Sequence, residues 1–178
     1  MAMCNDSPIF NPNKNNYYTT KQMWFNISHL IPKDKIIWEA CMLNSKSKSI
    51  EYFTEMGFNC TGDINMDCLT TTPENFDMII TNPPFETKLK QKILCRFVEL
   101  DKPFIIVLNC MNFYSKYFRD IFKENIKHLQ IISPEGKITF EIYNEQEKKI
   151  EKCKNQPSFY CAYLCYKMNL SNKDLWLN

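Results

Sequence analysis

The sequence predicts an α/β protein with a mostly parallel central sheet, helices on both faces and a final antiparallel strand. Over most of the 178 residues, short apolar segments alternate with segments of helical spacing. That order is typical of parallel strands joined by right-handed helical crossovers. One apolar segment, 76–80, is followed closely by Pro83 and Pro84. Two consecutive prolines cannot lie inside a central strand or a helix, so the strand has to end before them. The last predicted strands have no clear helix between them, which favours antiparallel pairing there.

The first half of the chain supplies an arm, two helices and two strands. Residues 1–16 are rich in Asn and Pro and are expected to form a flexible arm before a single domain over 17–178. Thr19 or Thr20 can cap a first helix that runs to about Leu30. The elements expected next are a buried strand at 35–40, a helix carrying Ile50, Phe53 and Met56 that Gly57 closes, and a strand at 58–62.

The second half continues the alternation. Strand 76–80 leads into the prolines, and Thr87 is placed to cap the helix that follows. A charged stretch at 145–154 is expected to be a mobile, solvated loop. The remaining predictions are inward positions Leu89, Ile93, Phe97 and Leu100 in that helix, a strand at 103–108, a helix with Phe113, Tyr117, Ile121 and Phe122, strands at 128–132 and 137–142, and a last strand at 158–167.

Composition bounds the kind of protein. The net charge of +2 neither demands nor excludes nucleic acid, so any basic patch has to be local. Nine irregularly spaced cysteines contain no Cys-x-x-Cys pair, and His29 and His128 are far from them, so no metal site is expected. Reduced thiols, no signal peptide and no membrane-spanning apolar run predict a soluble, intracellular protein of the cytoplasm or nucleus, without a membrane partner. The abundance of Asn, Lys and Ile indicates an AT-rich coding sequence.

The segment Thr81-Asn82-Pro83-Pro84-Phe85, which we call the elbow, follows the strand at the edge where α/β sheets bind ligands. The amide of Asn82 both accepts and donates hydrogen bonds, and the carbonyl of Pro83 is a second acceptor. Phe85 offers a flat face for stacking. These groups suit a planar amine, such as the exocyclic N6 of adenine. The alternative interpretation is a buried turn after a strand.

The Asn-Pro-Pro-Phe sequence resembles the Asn-Pro-Pro-aromatic motif of the S-adenosylmethionine-dependent amino-methyltransferases of the adenine-N6 type. The resemblance implies a Rossmann-like methyltransferase fold from about Tyr17 onward. It also implies methyl transfer from S-adenosylmethionine to adenine N6 in DNA or RNA. Asn82, Pro83 and Phe85 would then be catalytic, and Pro84 and Lys88 would contact the substrate. No separate target-recognition domain is recognisable, so sequence specificity is expected to be low or to be supplied by a protein partner or oligomer.

The same resemblance implies cofactor contacts. It assigns the cofactor carboxylate to the segment 17–20, with Tyr18 and Thr19, and the ribose and adenine amine to Asp63 and Asp67. Glu39 is retained in the loop after the first strand, where related enzymes carry Glu-Pro-x-x-Gly-x-Gly.

Leu43 and Ser45 stand where that loop is expected to have glycines. Their β-carbons narrow the space beside the backbone, which predicts weak cofactor binding. Two alternatives to the adenine methyltransferase stay open. The missing glycines favour a catalytically degraded subunit that acts as a binding or scaffolding partner. The other alternative is a protein glutamine-amide methyltransferase, which uses a similar elbow, usually with Tyr in place of Phe85.

Two further segments are candidate nucleic-acid surfaces. The helix after the elbow carries Lys88, Lys90, Lys92 and Arg96, which could meet phosphates. The aromatic-rich segment 113–119 is the other candidate, although part of it must pack in the core.

Overall fold

The computed structural model describes residues 17–171 and the backbone of 174–176; the predicted arm at 1–16 lies outside the described residues. No helix in the described part of the chain is long and apolar enough to cross a membrane. In chain order, the elements are β1 (Tyr18–Thr19), α1 (Lys21–Ile27), β2 (Ile36–Trp38), α2 (Ser49–Glu55), β3 (Asn59–Thr61), β4 (Met78–Thr81), α3 (Thr87–Leu100), β5 (Phe104–Asn109), α4 (Lys116–Phe122), β6 (Leu129–Ser133), β7 (Phe140–Asn144), β8 (Lys149–Lys152), β9 (Cys161–Tyr166) and β10 (Asp174–Trp176).

The central sheet has the strand order β10-β6-β9-β5-β4-β2-β3. Strands β2 to β5 run parallel, and β9 runs antiparallel to both of its neighbours, β5 and β6. Strand β10 follows β9 in the chain and pairs in parallel with β6 at the outer edge. The predicted α/β class, with a mostly parallel central sheet and helices on both faces, is confirmed, and β4 lies near the centre of the sheet as expected.

Helices cover both faces of the sheet. The side chains of β4 point to the two faces in alternation and so pack against helices on both sides. Met78 and Ile80 pack into a core with Trp24 of α1 and Phe53 of α2. Ile79 packs into a second core on the opposite face, which includes Phe97 of α3 and Phe122 of α4. A strand buried on both faces reads as a continuous apolar run, and this is why β4 could be recognised in the sequence.

Neither of the two helices predicted to have a threonine cap is capped by a threonine side chain. Helix α3 begins at Thr87, and Glu86 caps it: the Glu86 carboxylate accepts from the backbone N–H groups of Lys88 at 3.0 Å and Leu89 at 2.5 Å. A carboxylate suits this position because it faces the positive end of the helix dipole. Thr20 does precede α1, but it makes no side-chain cap; its hydroxyl lies 3.2 Å from that of Thr139.

The prediction of a loop at 145–154 is also wrong. Strands β7 and β8 form an antiparallel hairpin here, and β1 pairs with the other edge of β7, giving a separate three-stranded sheet. The side chain of Asn144 accepts from the N–H groups of Gln146 at 3.0 Å and Glu147 at 3.1 Å, which stabilises the turn. The strand predicted at 137–142 therefore starts later, at Phe140, and belongs to this separate sheet instead of the central one.

Candidate active site

One cleft lies at the carboxyl edge of the central sheet, where β4 ends at the elbow. It encloses about 850 Å³ of space not filled by atoms, open solvent included. The lining residues come from the segment before α1, the ends of β2 and β4, the loop after β2, and the β7–β8 hairpin; they are Tyr17, Tyr18, Thr19, Glu39, Cys41, Leu43, Asn44, Ser45, Lys46, Ser47, Asn82, Pro83, Pro84, Phe85, Tyr143 and Glu145.

Asn82 presents a buried acceptor without a donor. Its amide nitrogen donates to the backbone carbonyl of Tyr17 over 3.0 Å. A carbonyl can only accept, so this bond fixes which end of the amide points toward Tyr17. The other end, Oδ1, is buried and has no hydrogen-bond partner among the described residues. A buried acceptor left unpaired costs about 1–3 kcal/mol, so a donor supplied by a ligand would be bound favourably there.

Phe85 is held by other rings. Its ring centroid lies 6.0 Å from that of Tyr17, 5.8 Å from Phe140 and 5.2 Å from Phe159. Lys90, which the sequence suggested for phosphate contacts, is instead 5% exposed, and its ammonium lies 3.4 Å from the carbonyl of Phe85. Burial lowers the pKa of Lys90. This lysine therefore supports the elbow from within the protein and does not face a phosphate.

Glu39 and Thr81 join the ends of two neighbouring strands, β2 and β4. Glu39 is 3% exposed; its carboxylate accepts from the hydroxyl of Thr81 and from the N–H of Cys41 at 3.3 Å. Burial raises the pKa of Glu39 to about 7, although hydrogen bonds from Thr81, Cys41 and Ser49 oppose the shift. The carboxyl group therefore changes its charge near neutral pH at the floor of the cleft.

The loop after β2 turns at Asn44. Asn44 has a φ of 53°, and its N–H donates to the carbonyl of Ile64 over 2.8 Å. Asn is the non-glycine residue that tolerates this left-handed region best. Leu43 and Ser45, where glycines were expected, do not have positive φ. The effect of their side chains on a ligand is therefore steric, without backbone strain at those two positions.

Tyr18 and Thr19, predicted to contact the cofactor carboxylate, lie in β1 on the wall of the cleft. The hydroxyl of Tyr18 accepts from the N–H of Lys46 at 3.4 Å, and burial raises the pKa of Tyr18. Thr19 is 1% exposed, and its hydroxyl has no partner among the described residues. The cleft therefore has a second buried polar group available to a ligand.

Three predicted site residues lie outside the lining of the cleft. The carboxylate of Asp63 accepts from both nitrogens of Asn65, at 2.7 and 3.1 Å, and that of Asp67 accepts from the N–H of Leu69 at 3.0 Å. Lys88 is exposed on α3 and lines a separate shallow groove. Their roles stay predictions. In the described part of the chain, no three His, Cys, Asp or Glu side chains group closely enough to hold a metal ion.

Sequence reasoning missed two residues that line the cleft, Tyr143 and Glu145. The predicted strand ended at 142, and the segment from 145 was predicted to be a loop. The ring of Tyr143 lies 5.5 Å from the ammonium of Lys46, and Tyr52 of α2 donates to Glu141 over 2.8 Å. The alternation of Phe140 and Ile142 with polar neighbours, followed by Asn144 as a turn residue, is the signal that could have found this hairpin.

Comparisons with known proteins give the following likenesses. No protein-family model matches the chain, and no curated protein matches it. A solved putative class I S-adenosylmethionine-dependent methyltransferase from Listeria monocytogenes is 11% identical, with 89% of this chain and 64% of that chain covered and a TM-score of 0.49. A TehB-like S-adenosylmethionine-dependent methyltransferase from Corynebacterium glutamicum is 13% identical, with 80% and 85% covered and a TM-score of 0.43. A tRNA (m1A58) methyltransferase from Aquifex aeolicus is 11% identical, with 82% and 67% covered and a TM-score of 0.39. Because each TM-score is below 0.5, the function proposed below rests on the geometry of the cleft.

Proposed function

We propose that this protein transfers a methyl group from S-adenosylmethionine to the exocyclic N6 amine of adenine in DNA or RNA. The observation that carries the proposal is Oδ1 of Asn82, just after β4, which is buried and has no hydrogen-bond partner in the part of the chain that the structure describes. An amine that donates one hydrogen bond to Oδ1 would satisfy this acceptor. Pro83 and Phe85 also line the cleft, and the carbonyl of the one and the ring of the other would complete a site for a flat, amine-bearing base.

The cleft has groups that fit the cofactor. The unpartnered hydroxyl of Thr19 and the hydroxyl of Tyr18 lie on the wall formed by β1 and would face its carboxylate end. The loop after β2, with Asn44 at its turn, would lie along the rest of the molecule, and Glu39 closes the floor. When bound, S-adenosylmethionine supplies an electrophilic methyl group on a sulfonium, which is an excellent leaving group.

The residues of the elbow then have a limited task, because a neutral amine attacking a sulfonium methyl group needs no strong base. The new N–C bond would form as the C–S bond breaks, S-adenosylhomocysteine would leave as a neutral thioether at sulfur, and the proton lost by the amine would pass to water. Asn82 Oδ1 and the Pro83 carbonyl accept hydrogen bonds from the amine and so draw electron density toward its nitrogen. The bond from Asn82 to Tyr17 keeps Oδ1 in position throughout. Phe85, itself held by neighbouring rings, orients the base so that the nitrogen faces the methyl group. A base within a duplex would have to be flipped out to reach this site.

The test is methyl transfer by the purified chain from S-adenosylmethionine labelled in the methyl group. Single-stranded DNA, single-stranded RNA and glutamine-containing peptides serve as separate acceptors, and mass spectrometry of the digested products identifies the modified group. We expect N6-methyladenine from DNA or RNA, and far slower formation of it by the Asn82→Ala variant. Labelled peptide alone would replace this proposal by the glutamine-amide alternative.

The scaffold alternative has an observation in its favour, which is that Leu43 and Ser45 occupy the loop where related enzymes are expected to carry glycines. Isothermal titration calorimetry with S-adenosylmethionine separates the two hypotheses. If the cofactor does not bind, with or without an oligonucleotide, and no acceptor is labelled, the chain is a scaffold.

A further inference from the structure

Strand β5 extends beyond the elbow. Thr81, the last residue of β4, pairs with Ile106, whereas β5 continues to Asn109. At 3.3 Å per residue, three more residues carry the chain about 10 Å further in the direction in which the cleft opens. Whatever follows Asn109 therefore lies at the same edge of the sheet as Asn82, one strand away from it.

The turn after β5 is rigid and yet exposes apolar side chains. The side chain of Asn109 accepts from the N–H of Met111 at 2.9 Å, and Asn112 donates to the carbonyl of Asn109 over 2.6 Å. Ser115 donates to the carbonyl of Asn112 over 2.6 Å. Despite this bonding, Met111 is 70% exposed and Tyr114 is 77% exposed. A turn that is fixed by several hydrogen bonds and still exposes an aromatic ring and a thioether to solvent indicates a surface that binds a partner.

Tyr160 belongs to the same surface. Its carbonyl accepts from the N–H of Cys110 at 2.9 Å, which joins it to the turn, and its side chain is 66% exposed. The ammonium of Lys137 lies 5.1 Å from the centre of its ring. The preceding residue, Phe159, packs against Phe85. We call Met111, Tyr114 and Tyr160, with Lys137, the rim platform. It holds three of the six exposed large hydrophobic side chains of the described residues.

We propose that the rim platform binds an unpaired nucleotide next to the target base, so that the preferred substrate is a single-stranded or unpaired segment of nucleic acid. This inference rests on the proposed function and specifies its substrate. A nucleotide has two features that match the platform: a flat base that stacks on a tyrosine ring, and a phosphate that attracts the ammonium of Lys137. Stacking of this kind accepts any base, because every base has a flat aromatic face.

A nucleic acid explains the platform better than a protein partner. A stable protein interface buries about 800 Å² on each partner and engages roughly 20–30 residues of it, whereas the platform offers three large side chains and one cation. The cation beside a ring also suits an anionic, aromatic ligand. A second copy of the chain or another protein is therefore an outcome of the test and not the occupant we propose.

The experiment measures binding of a fluorescein-labelled single-stranded oligonucleotide with one adenine to the full chain by fluorescence anisotropy. We expect Tyr160→Ala and Tyr114→Ala each to weaken binding by roughly 5- to 150-fold, the loss found when one base loses its aromatic partner. Tyr160→Phe keeps the ring and should bind as the unmodified chain does. Phe25→Ala removes another exposed ring (58% exposed), on α1, and is the matched control. Circular dichroism verifies that each variant is folded.

A second readout is methyl transfer to the oligonucleotide and to free adenosine. The platform variants should raise KM for the oligonucleotide and leave KM for adenosine unchanged. Platform variants that bind the oligonucleotide as tightly as the unmodified chain, or that lose no more than Phe25→Ala, would overturn the inference even if methylation is confirmed. Ring-dependent binding without any methylation would keep the inference and sink the proposed activity. A platform that mediates self-association in sedimentation, with no effect on oligonucleotide binding, would also overturn it.

Discussion

The amide nitrogen of Asn82 donates to the carbonyl of Tyr17 over 3.0 Å, which ties the elbow after β4 to the segment before α1. The two residues are 65 positions apart in the chain. Because Tyr17 takes the donor end of the amide, the acceptor end stays free, although it is buried. The predictions below follow from this arrangement and from the groups around it.

Replacing Asn82 by Ala should slow methyl transfer by about 100-fold or more. The variant lacks an acceptor that becomes important in the transition state, and deletions of comparable oxyanion-hole donors cost roughly 3 kcal/mol or more. The measurement is the single-turnover rate at saturating cofactor and oligonucleotide. Asn65→Ala, an exposed asparagine outside the cleft lining, is the control. Unchanged activity of Asn82→Ala would show that the elbow is only a turn.

Phe85→Ala should weaken both the substrate complex and the fold. Loss of stacking on the base predicts a substrate-binding penalty of about 1–3 kcal/mol. The contacts of Phe85 with Tyr17, Phe140 and Phe159 predict an additional loss of about 2–4 kcal/mol in the free energy of unfolding. Phe85→Tyr keeps the ring and should change neither quantity greatly. Urea denaturation and KM separate the effects, and a stability loss with unchanged KM would mean that the ring only packs.

The buried carboxyl group of Glu39 should make the protein less stable as the pH rises toward neutral. Its pKa is about 7 in the folded state, above its ordinary value of 4.5, so between these values the folded state holds more protons than the unfolded state. The contribution of this group to the free energy of unfolding is therefore fully present below about pH 4.5. It is lost as the pH rises to about 7, and the total loss is roughly 3 kcal/mol.

Glu39→Gln has no such proton to lose, so its free energy of unfolding should depend less on pH between 5 and 8. Urea denaturation at four pH values measures the slope. Glu99→Gln, which changes an exposed carboxylate on α3, is the control. Equal slopes for Glu39→Gln and the unmodified chain would contradict the prediction.

The double variant Leu43→Gly, Ser45→Gly should bind S-adenosylmethionine more tightly than the unmodified chain in calorimetry. Neither residue has a positive φ, so the gain would come from removing side chains that line the cleft. The double variant Glu74→Gly, Asn75→Gly is the control, since it changes two exposed residues outside the cleft lining. Tight binding by the unmodified chain, with no gain in the double variant, would refute the steric explanation.

Gly62→Ala should destabilise the protein and disturb the cleft. A Cβ at Gly62 would lie 2.7 Å from the carbonyl oxygen of Glu39 and 2.9 Å from Cδ1 of Ile50, so the backbone after β2 has to move. Overpacking of this kind costs about 1–3 kcal/mol. Gly136→Ala is the control, because nothing lies within 4 Å of its added Cβ. Equal melting temperatures of the two variants would contradict the prediction.

Much of the fold could be predicted because its strands are buried on both faces. Strands β4 and β5 are continuous apolar runs, and the prolines mark the end of β4 at the elbow. The hairpin partner β8 could not be found, since Lys149, Glu151 and Lys152 leave Ile150 as its one apolar residue. A polar edge strand is defined by its pairing with β7 and not by its own pattern.

The part of the site that could be predicted consists of residues that directly follow strands at the carboxyl edge of the sheet. Glu39 and Asn82 follow neighbouring parallel strands, so topology alone brings them together. Asp63 and Asp67 follow the edge strand β3, where the chain folds back through local bonds to Asn65 and Leu69. Such turns depend on side-chain geometry that residue spacing does not reveal.

The pairing of β1 with β7 has a consequence for the order of folding. Thr19 pairs with Phe140, more than a hundred residues later, and this contact completes the wall of the cleft opposite the elbow. Contacts between such distant segments form slowly because a long loop must close first. During synthesis, the central strands β2, β4 and β5 leave the ribosome well before β7 does. The nascent chain therefore has strands β2 to β5 of its sheet before β7 completes the cleft, whereas β9, which lies between β5 and β6, is synthesised after β7. Ligand binding should begin only late in translation.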